Sequence, residues 1–303
     1  MASPCLSIIK LIALFSLINA CFASRILSTI PAAGDPQNQQ LLSYHNGPLL
    51  RGKIAVNLIW YGKFTPSQRA IVADFITSLS SAPSRSQLHS SVAAWWKTVE
   101  KYYHLAGDRN PNSLSLHLGK QILDEGYSAG KSLSEKQIVQ LASKGDQENA
   151  INVVLTAKDV SVAGFCVNRC GTHGFKGAVN VKEKKTKFAY IWVGNSEALC
   201  PGYARGLSIS PFTAHRAHHC GLLAGTATNP FGSGFYQGPS EAPLEAATAC
   251  PGVYAKGAYP GYAGDLLVDP TTGASYNALG PNGRKYLLPA IYDPSTSKCA
   301  TLV

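Results

Sequence analysis

A thiol and an imidazole lie three residues apart near the middle of the chain, in the segment Cys170-Gly171-Thr172-His173-Gly174. Nucleophilic catalysis by cysteine needs a base of this kind beside the sulfur. In an exported protein, however, the thiol is expected to be oxidised. An imidazole flanked by glycines is also suited to a hydrogen bond within a turn. We favour this second interpretation and predict no catalytic residue here.

Two pairs of carboxylates have spacings that chemistry could use. Glu241 and Glu245 are four residues apart, and glycoside hydrolysis uses two carboxyl groups. The same spacing is typical of a helix N-terminus, where acidic side chains interact favourably with the helix dipole. Asp265 and Asp269 flank a short apolar segment followed by proline and glycine, which indicates a turn. The sequence therefore gives little support to a glycoside hydrolase.

A histidine-rich run contains residue types that suit zinc. It comprises His215, His218, His219 and Cys220. The order H-x-x-H-H-C lacks both the i, i+4 histidine pair and the glutamate of the H-E-x-x-H arrangement. We therefore predict no metal site and no cofactor.

Tyrosines concentrate in the C-terminal third of the chain, at positions 236, 254, 259, 262, 276, 286 and 292. Amphipathic rings on glycine-rich loops can stack on sugar rings, since each offers a flat apolar face and a hydroxyl. The alternative, which we favour, is that tyrosine fills the shallow core of a turn-rich layer. If a ligand platform exists, the sequence places it at Tyr254, Tyr259 and Tyr262.

The first 23 residues have the pattern of a secretory signal peptide. Lys10 precedes the apolar run LIALFSLI, and small residues follow it. A membrane anchor is the alternative, but crossing a bilayer takes about 20 apolar residues, and Asn19 and Arg25 limit the run. We predict cleavage near residue 23, export to the extracellular space and no transmembrane anchor. An extended arm at 24–50 then precedes a single domain at 51–303.

Six cysteines remain after this signal: Cys166, Cys170, Cys200, Cys220, Cys250 and Cys299. An even number in an exported chain predicts disulfide bonds, although the sequence does not choose between the pairings. Cys166 and Cys170 are close enough to suggest a metal site, but no second pair at zinc-finger spacing follows. Disulfides are the better interpretation.

The chain is basic, and removing Lys10 with the signal lowers its formal charge from +10 to +9. A basic extracellular protein attracts polyanions, such as an acidic wall polysaccharide or an anionic membrane surface. A solvated basic face that keeps the protein soluble is an equally good explanation. The lysine-rich run at 176–187 lacks interleaved aromatic residues, so we expect no binding to nucleic acid.

Composition and hydrophobic patterning indicate an α/β fold. The 303 residues are 45% hydrophobic and 15% charged, which excludes disordered, collagen-like and coiled-coil classes. Buried strands are predicted at 54–61 and 151–155, further strands at 114–123, where the pattern alternates, and at 188–193, and helices at 68–79, 92–103 and 134–141. Beyond Phe231 the chain is rich in glycine, proline and tyrosine, with short strands at 266–268 and 286–292. We predict a mixed sheet with flanking helices and a loop-rich, disulfide-bonded C-terminal layer.

Several long segments carry a family resemblance. The strings HNGPLLRGKIAVNLIWYGKFTPSQRAIVADFITSL, GFCVNRCGTHG, FAYIWVGNSEALCPG and LAGTATNPFGSGFYQGPSEAP, with most of the C-terminal third, resemble the plant phosphate-induced protein 1 / EXORDIUM family. The resemblance implies a secreted protein of the apoplast or cell wall, linked to cell expansion and to brassinosteroid- or nutrient-responsive growth. It implies no catalytic residue and no cofactor.

Residues 203–220 depart from the pattern of that family. A permissible set of codons for this run, read from the third nucleotide of the first codon, translates as CAWPFHQPIYGPQSPPL, which is similar to the family sequence at this point. We therefore predict that 203–220 is family DNA read out of frame. The shift removes a family cysteine, so one of the candidate disulfide cysteines, Cys166, Cys170, Cys200, Cys250 and Cys299, is expected to lose its partner.

Three functions are consistent with these observations. The first is a growth-associated apoplastic protein that acts by binding cell-wall glycan or a cell-surface receptor. The second is a secreted hydrolase of wall polymers or peptides. The third is a nonfunctional, truncated family member that misfolds because part of its core and a disulfide are missing.

Overall fold

A five-stranded sheet lies at the centre of the fold. The computed structural model describes residues 42–82, 90–108, 114–166, 170–181, 184–196, 221–239 and 242–303, all within the unit Leu41–Val303. In chain order the elements are β1 (Ser43–Tyr44), β2 (Gly52–Tyr61), α1 (Pro66–Leu79), α2 (Val92–Leu105), β3 (Leu114–Asp124), β4 (Ser132–Leu133), α3 (Glu135–Ala142), β5 (Ala150–Thr156), β6 (Ser161–Val162), β7 (Gly171–Val181), β8 (Lys184–Gly194), β9 (Phe235–Tyr236), β10 (Leu267–Val268), β11 (Ser275–Tyr276), β12 (Ala278–Leu279), β13 (Lys285–Tyr286), β14 (Ile291–Asp293) and β15 (Lys298–Ala300). Residues 221–228 are also helical.

The central sheet is mixed, in the order β3-β2-β5-β8-β7. The first four strands are parallel, and β7 lies antiparallel to β8 at the edge. Helices α1 and α2 connect β2 to β3, and α3 lies between β3 and β5 in the chain. The predicted α/β class, a mixed sheet with flanking helices, is confirmed.

Local sequence signals explain where the helices begin. The hydroxyl of Thr65 accepts from the backbone N–H of Gln68, and the Gln68 side chain accepts from that of Thr65. This capping box, with Pro66 at the first helical position, starts α1. Ser134 and Gln137 form a second capping box at α3. Each cap satisfies backbone donors that have no partner within their helix.

The central strands of the sheet are buried on both faces. Successive side chains of a strand point to opposite sides, so each strand contributes to two clusters. In β2, Leu58 and Trp60 pack in the cluster that includes α1 and α2. Ile59 and Tyr61 pack in the cluster that includes α3. Strands buried on both sides need nearly continuous apolar runs, which is why the sequence indicated them clearly.

The C-terminal layer consists of short two-stranded ladders: β10 with β11, β12 with β13, and β14 with β15. A disulfide joins Cys250 to Cys299. The single strand predicted at 286–292 is wrong, since β13 and β14 are separate elements. Pro289 lies between them, and proline has no N–H to donate to a ladder.

Part of the predicted arm at 24–50 belongs to the core. Leu42, Leu49 and Leu50 are buried with the helices of the first cluster, and β1 pairs with β9. The turn-rich composition of 24–50 concealed these three leucines. The signal peptide at 1–23 and the suspected out-of-frame segment at 203–220 lie outside the described residues. No helix within the described ranges is long and apolar enough to cross a membrane.

Two buried aspartates each form an ion pair with a lysine. Asp124, at the end of β3, accepts from the ammonium of Lys144 at 2.8 Å and from the backbone N–H of Ser128 at 3.0 Å. Asp293, in β14, accepts from Lys101 at 2.5 Å. Burial tends to raise the pKa of each carboxyl, but the lysine and neighbouring serine donors outweigh it. The pKa of both aspartates is therefore lowered from its ordinary value of 3.8.

We expect this to make the fold sensitive to acid. A carboxyl whose pKa is lower in the folded state stabilises the fold above the unfolded pKa, and this contribution is lost as the pH falls through the folded value. The melting temperature should therefore drop below about pH 4. We expect the double variant Asp124→Asn, Asp293→Asn to have a lower melting temperature at neutral pH. Between pH 7 and 2 its melting temperature should fall less than that of the parent. An equal fall in the two proteins would contradict the role given to these aspartates.

Candidate functional site

His173 lies on the edge strand β7, on the sheet face that packs against the C-terminal part of the chain. Its backbone is opposite Ile191 in the β7–β8 register, and Ile191 belongs to the cluster on that face. Cys170 packs on the other face, with Phe165 and Trp192. The sheet separates the thiol from the imidazole, so these residues do not form a catalytic pair.

The partner of His173 is Glu245, 72 residues further along the chain. The imidazole Nε2 lies 2.5 Å from Glu245 Oε2, and Asn229 Nδ2 donates to Oε1 at 2.7 Å. The side chains of His173 and Glu245 are only 13% and 9% exposed. Because a carboxylate oxygen accepts, we assign the proton to Nε2. The other ring nitrogen, Nδ1, is buried and has no hydrogen-bond partner among the described residues.

The orientation of Asn229 follows from its place at the end of a helix. Its backbone N–H donates to Gly225 at 2.7 Å, and Pro230 follows, which cannot continue the helix. The side-chain Oδ1 accepts from the backbone N–H of Gly234 at 2.7 Å. This bond leaves the amide nitrogen as the group that faces Glu245.

Glycine at position 225 lets the helix approach the pair closely. A Cβ there would lie 2.9 Å from Glu245 Oε2 and 3.0 Å from His173 Nε2, closer than side-chain atoms normally pack. Glu245 itself follows a pair of backbone hydrogen bonds between Gln237 and Leu244. It heads a single turn at 246–249, so the interpretation of Glu245 as a helix N-terminal acid is wrong. Glu241, the other carboxylate considered with it, lies outside the described residues.

A cavity of about 340 Å³ opens beside this pair. Its lining includes the polar residues His173, Asn229 and Glu245, which we call the floor, and the apolar residues Phe175 and Pro230. This volume is at the lower end of the range for small-molecule sites. Each oxygen of the Glu245 carboxylate accepts a hydrogen bond, one from His173 and one from Asn229. These bonds fix the orientation of the imidazole and place polar groups at the cavity, where a ligand could contact them.

The predicted tyrosine platform is only partly formed. Tyr254 is half-buried, whereas Tyr259 and Tyr262 are 65% and 39% exposed. The segment Tyr259-Pro260-Gly261-Tyr262 is a tight turn, closed by the N–H of Tyr262 donating to Tyr259 at 2.8 Å. Proline followed by a glycine with φ of +91° is typical of a type II turn.

This turn brings two aromatic rings together on the surface. The ring centroids of Tyr259 and Tyr262 are 5.1 Å apart, with 37° between the planes. The Tyr262 hydroxyl donates to Asp265 Oδ1 at 2.6 Å, and this bond raises the pKa of Tyr262. Asp269 accepts from the backbone N–H of Thr271 at 2.8 Å, which is the turn chemistry that its position predicted.

The structure describes four of the predicted disulfide cysteines. Cys250 and Cys299 are bonded to each other, and Cys166 is also disulfide-bonded. Cys170 is a free, buried thiol, and one cysteine of this set was expected to lack a partner. Its side chain packs among apolar residues, and burial raises its pKa. Cys200 and the run at 215–220 lie outside the described residues. Elsewhere in the described chain, no group of three or more His, Cys, Asp or Glu could hold a metal ion.

Comparison with known proteins identifies relatives over nearly the whole chain. The family model described as the phosphate-induced protein 1 conserved region matches residues 42–212 and 217–302. Protein PHOSPHATE-INDUCED 1 of Nicotiana tabacum is 64% identical over 313 aligned positions, covering 98% of each chain. Protein EXORDIUM of Arabidopsis thaliana is 58% identical, covering 98% of this chain and 99% of the relative. No solved structure matches.

The alignment with the Nicotiana tabacum relative spans more positions than the 303 residues of this chain. The relative therefore contains residues that have no counterpart here.

Proposed function

The chain belongs to the phosphate-induced protein 1 / EXORDIUM family, and from that membership we propose a secreted protein of the plant apoplast or cell wall. It takes part in cell expansion and in brassinosteroid- or nutrient-responsive growth, and it acts by binding. The signal-like N-terminus, the Cys250–Cys299 disulfide and the basic charge all support this proposal. Disulfides persist in oxidising compartments, and a basic protein is attracted to acidic wall polysaccharides.

The exposed pair of Tyr259 and Tyr262 is the observation on which glycan binding rests. Burying a large aromatic side chain is favourable, so leaving two adjacent rings in water favours a role in contact with a ligand. A pyranose presents an apolar face of C–H groups that packs on a ring, and its hydroxyls can bond to polar groups beside it. Asp265 supplies such a group next to Tyr262.

We expect saturable, salt-sensitive retention of the purified protein on immobilised acidic wall glycan. The double variant Tyr259→Ala, Tyr262→Ala should bind at least tenfold more weakly, because each ring contributes about 1 kcal/mol. Leu105→Ala, which removes another exposed apolar side chain, is the matched control and should bind like the parent. Equal retention of all three proteins would remove the platform from the proposal, and no retention of the parent would overturn glycan binding.

The alternative of a secreted hydrolase of wall polymers or peptides rests on His173 and Glu245. Paired in this way, a carboxylate can orient an imidazole for proton transfer. Here, however, Nδ1 is buried and both carboxylate oxygens of Glu245 are bonded to protein groups. This geometry favours a structural and ligand-positioning role, and binding is the better proposal.

A further inference from the structure

A lysine ammonium lies over two aromatic rings beside the cavity at His173. Lys187 Nζ is 5.4 Å from the ring centroid of Phe175 and 6.0 Å from that of Phe231. The two rings meet edge to face with centroids 5.9 Å apart. Phe175, which lines the cavity, is 41% exposed. The result is an exposed rim that combines a cation with apolar ring faces.

The pleat of the sheet brings this rim and the cavity floor to one face. Phe175 is opposite Ala189, and His173 is opposite Ile191. Lys187 is two residues before Ala189 in the same strand and therefore points to the same side. His173 and Phe175, which line the cavity, therefore lie on the same face of the sheet as the Lys187 side chain, and Phe175 links the floor to the rim.

The floor and the rim suit different parts of one ligand. Each oxygen of the Glu245 carboxylate has more than one lone pair, so the floor can accept hydrogen bonds from hydroxyl groups beyond those of His173 and Asn229. It is unsuited to a second carboxylate, because a second negative charge beside the buried Glu245 carboxylate would be repelled. At the rim, the Lys187 ammonium attracts a negative charge, and the Phe175 ring offers an apolar surface.

We infer that this cavity binds a uronic acid residue, a pyranose ring with a carboxylate at C6. The inference rests on the proposed glycan-binding function and adds a second, more selective site to it. The hydroxyls enter toward Glu245, the C–H face packs on Phe175, and the carboxylate lies beside Lys187. A bare inorganic anion would leave the ring faces unused, and a neutral hexose would leave the ammonium unused. About 340 Å³ is enough for one sugar residue, as expected for a chain end or a single side group.

Galacturonic acid and galactose are the matched probes, since C6 is a carboxylate in the first and a hydroxymethyl group in the second. Their affinities are measured by ligand-observed NMR at low salt, on the folded, full-length protein. The parent should prefer galacturonate by at least fivefold. Lys187→Gln should abolish this preference, and Phe175→Ala should weaken both sugars. Lys176→Gln, an exposed lysine on the same strand as Phe175 but on the opposite face, is the control for net charge and should keep the preference.

Each outcome separates this site from the tyrosine platform. If the preference survives in the double variant Tyr259→Ala, Tyr262→Ala and is lost in Lys187→Gln, the cavity site is supported. The site is overturned if the parent shows no preference, if Lys187→Gln retains it, or if Lys176→Gln loses it equally. If the parent shows no polymer retention but keeps its galacturonate preference, the tyrosine platform is overturned and the cavity site stands.

Discussion

Replacing Glu245 by alanine is expected to lower the free energy of unfolding by about 3 kcal/mol. The carboxylate accepts from His173 and Asn229, and its side chain is largely buried. Without it, both donors remain buried with no acceptor, while the edge strand loses its link to the segment after β9. Denaturant unfolding monitored by circular dichroism measures the change.

Two further variants make this result specific. Glu245→Gln keeps the shape and one acceptor oxygen, so it should cost less than the alanine variant. Glu148→Ala removes an exposed carboxylate and should change stability by less than about 0.5 kcal/mol. A loss below about 1 kcal/mol in Glu245→Ala would contradict the structural role given to the pair.

Loss of the disulfide should have the largest effect on stability. Cys250 and Cys299 are 49 residues apart in the chain, and in the chain-entropy account closing such a loop stabilises the fold by about 4 kcal/mol. The variant Cys250→Ser, Cys299→Ser should therefore unfold at much lower denaturant. Adding a reductant should destabilise the parent and leave this variant less affected.

Cys170→Ala is the matched control for that experiment. Its thiol is free, so only a small packing loss of about 1 kcal/mol is expected. If Cys170→Ala were as damaging as the double variant, or if removing both bonded cysteines cost less than about 1 kcal/mol, the pairing in the structure would be wrong.

The central strands β2 and β5 were predictable because burial on both faces requires long apolar runs. The run from Ile54 to Tyr61 is apolar or aromatic at every position except Asn57, and it forms all of β2 after its first two residues. The edge strand β7 was missed. It contains three glycines and a lysine in its first seven residues, a composition that weakens strand propensity, and its pairing with β8 comes from the hairpin that follows.

The candidate site was visible in the sequence only as separate halves. His173 was considered with Cys170 and Glu245 with Glu241, because short spacing is the only proximity that a sequence displays. The real partners are 72 residues apart and meet through the sheet register and the turn at Asn229. Asn229-Pro230 indicates the end of a helix, and Gly225 indicates a close approach to that helix. Neither feature shows that His173 and Glu245 are partners.

The tyrosine platform was easier to predict from the sequence than the pair of His173 and Glu245. A Tyr-Pro-Gly-Tyr segment predicts a tight turn that places its end residues side by side. Sequence alone did not distinguish Tyr254, whose ring is half-buried, from Tyr259 and Tyr262. That difference depends on the packing of the whole C-terminal layer.

The central proposal, that this chain binds acidic wall glycan without cleaving it, is tested most directly by titrating the protein with polygalacturonate in a calorimeter and then measuring the polymer length. We predict saturable binding that weakens as salt is added, with the polymer length unchanged after prolonged incubation. Absence of binding at low salt, or progressive shortening of the polymer, would contradict the proposal.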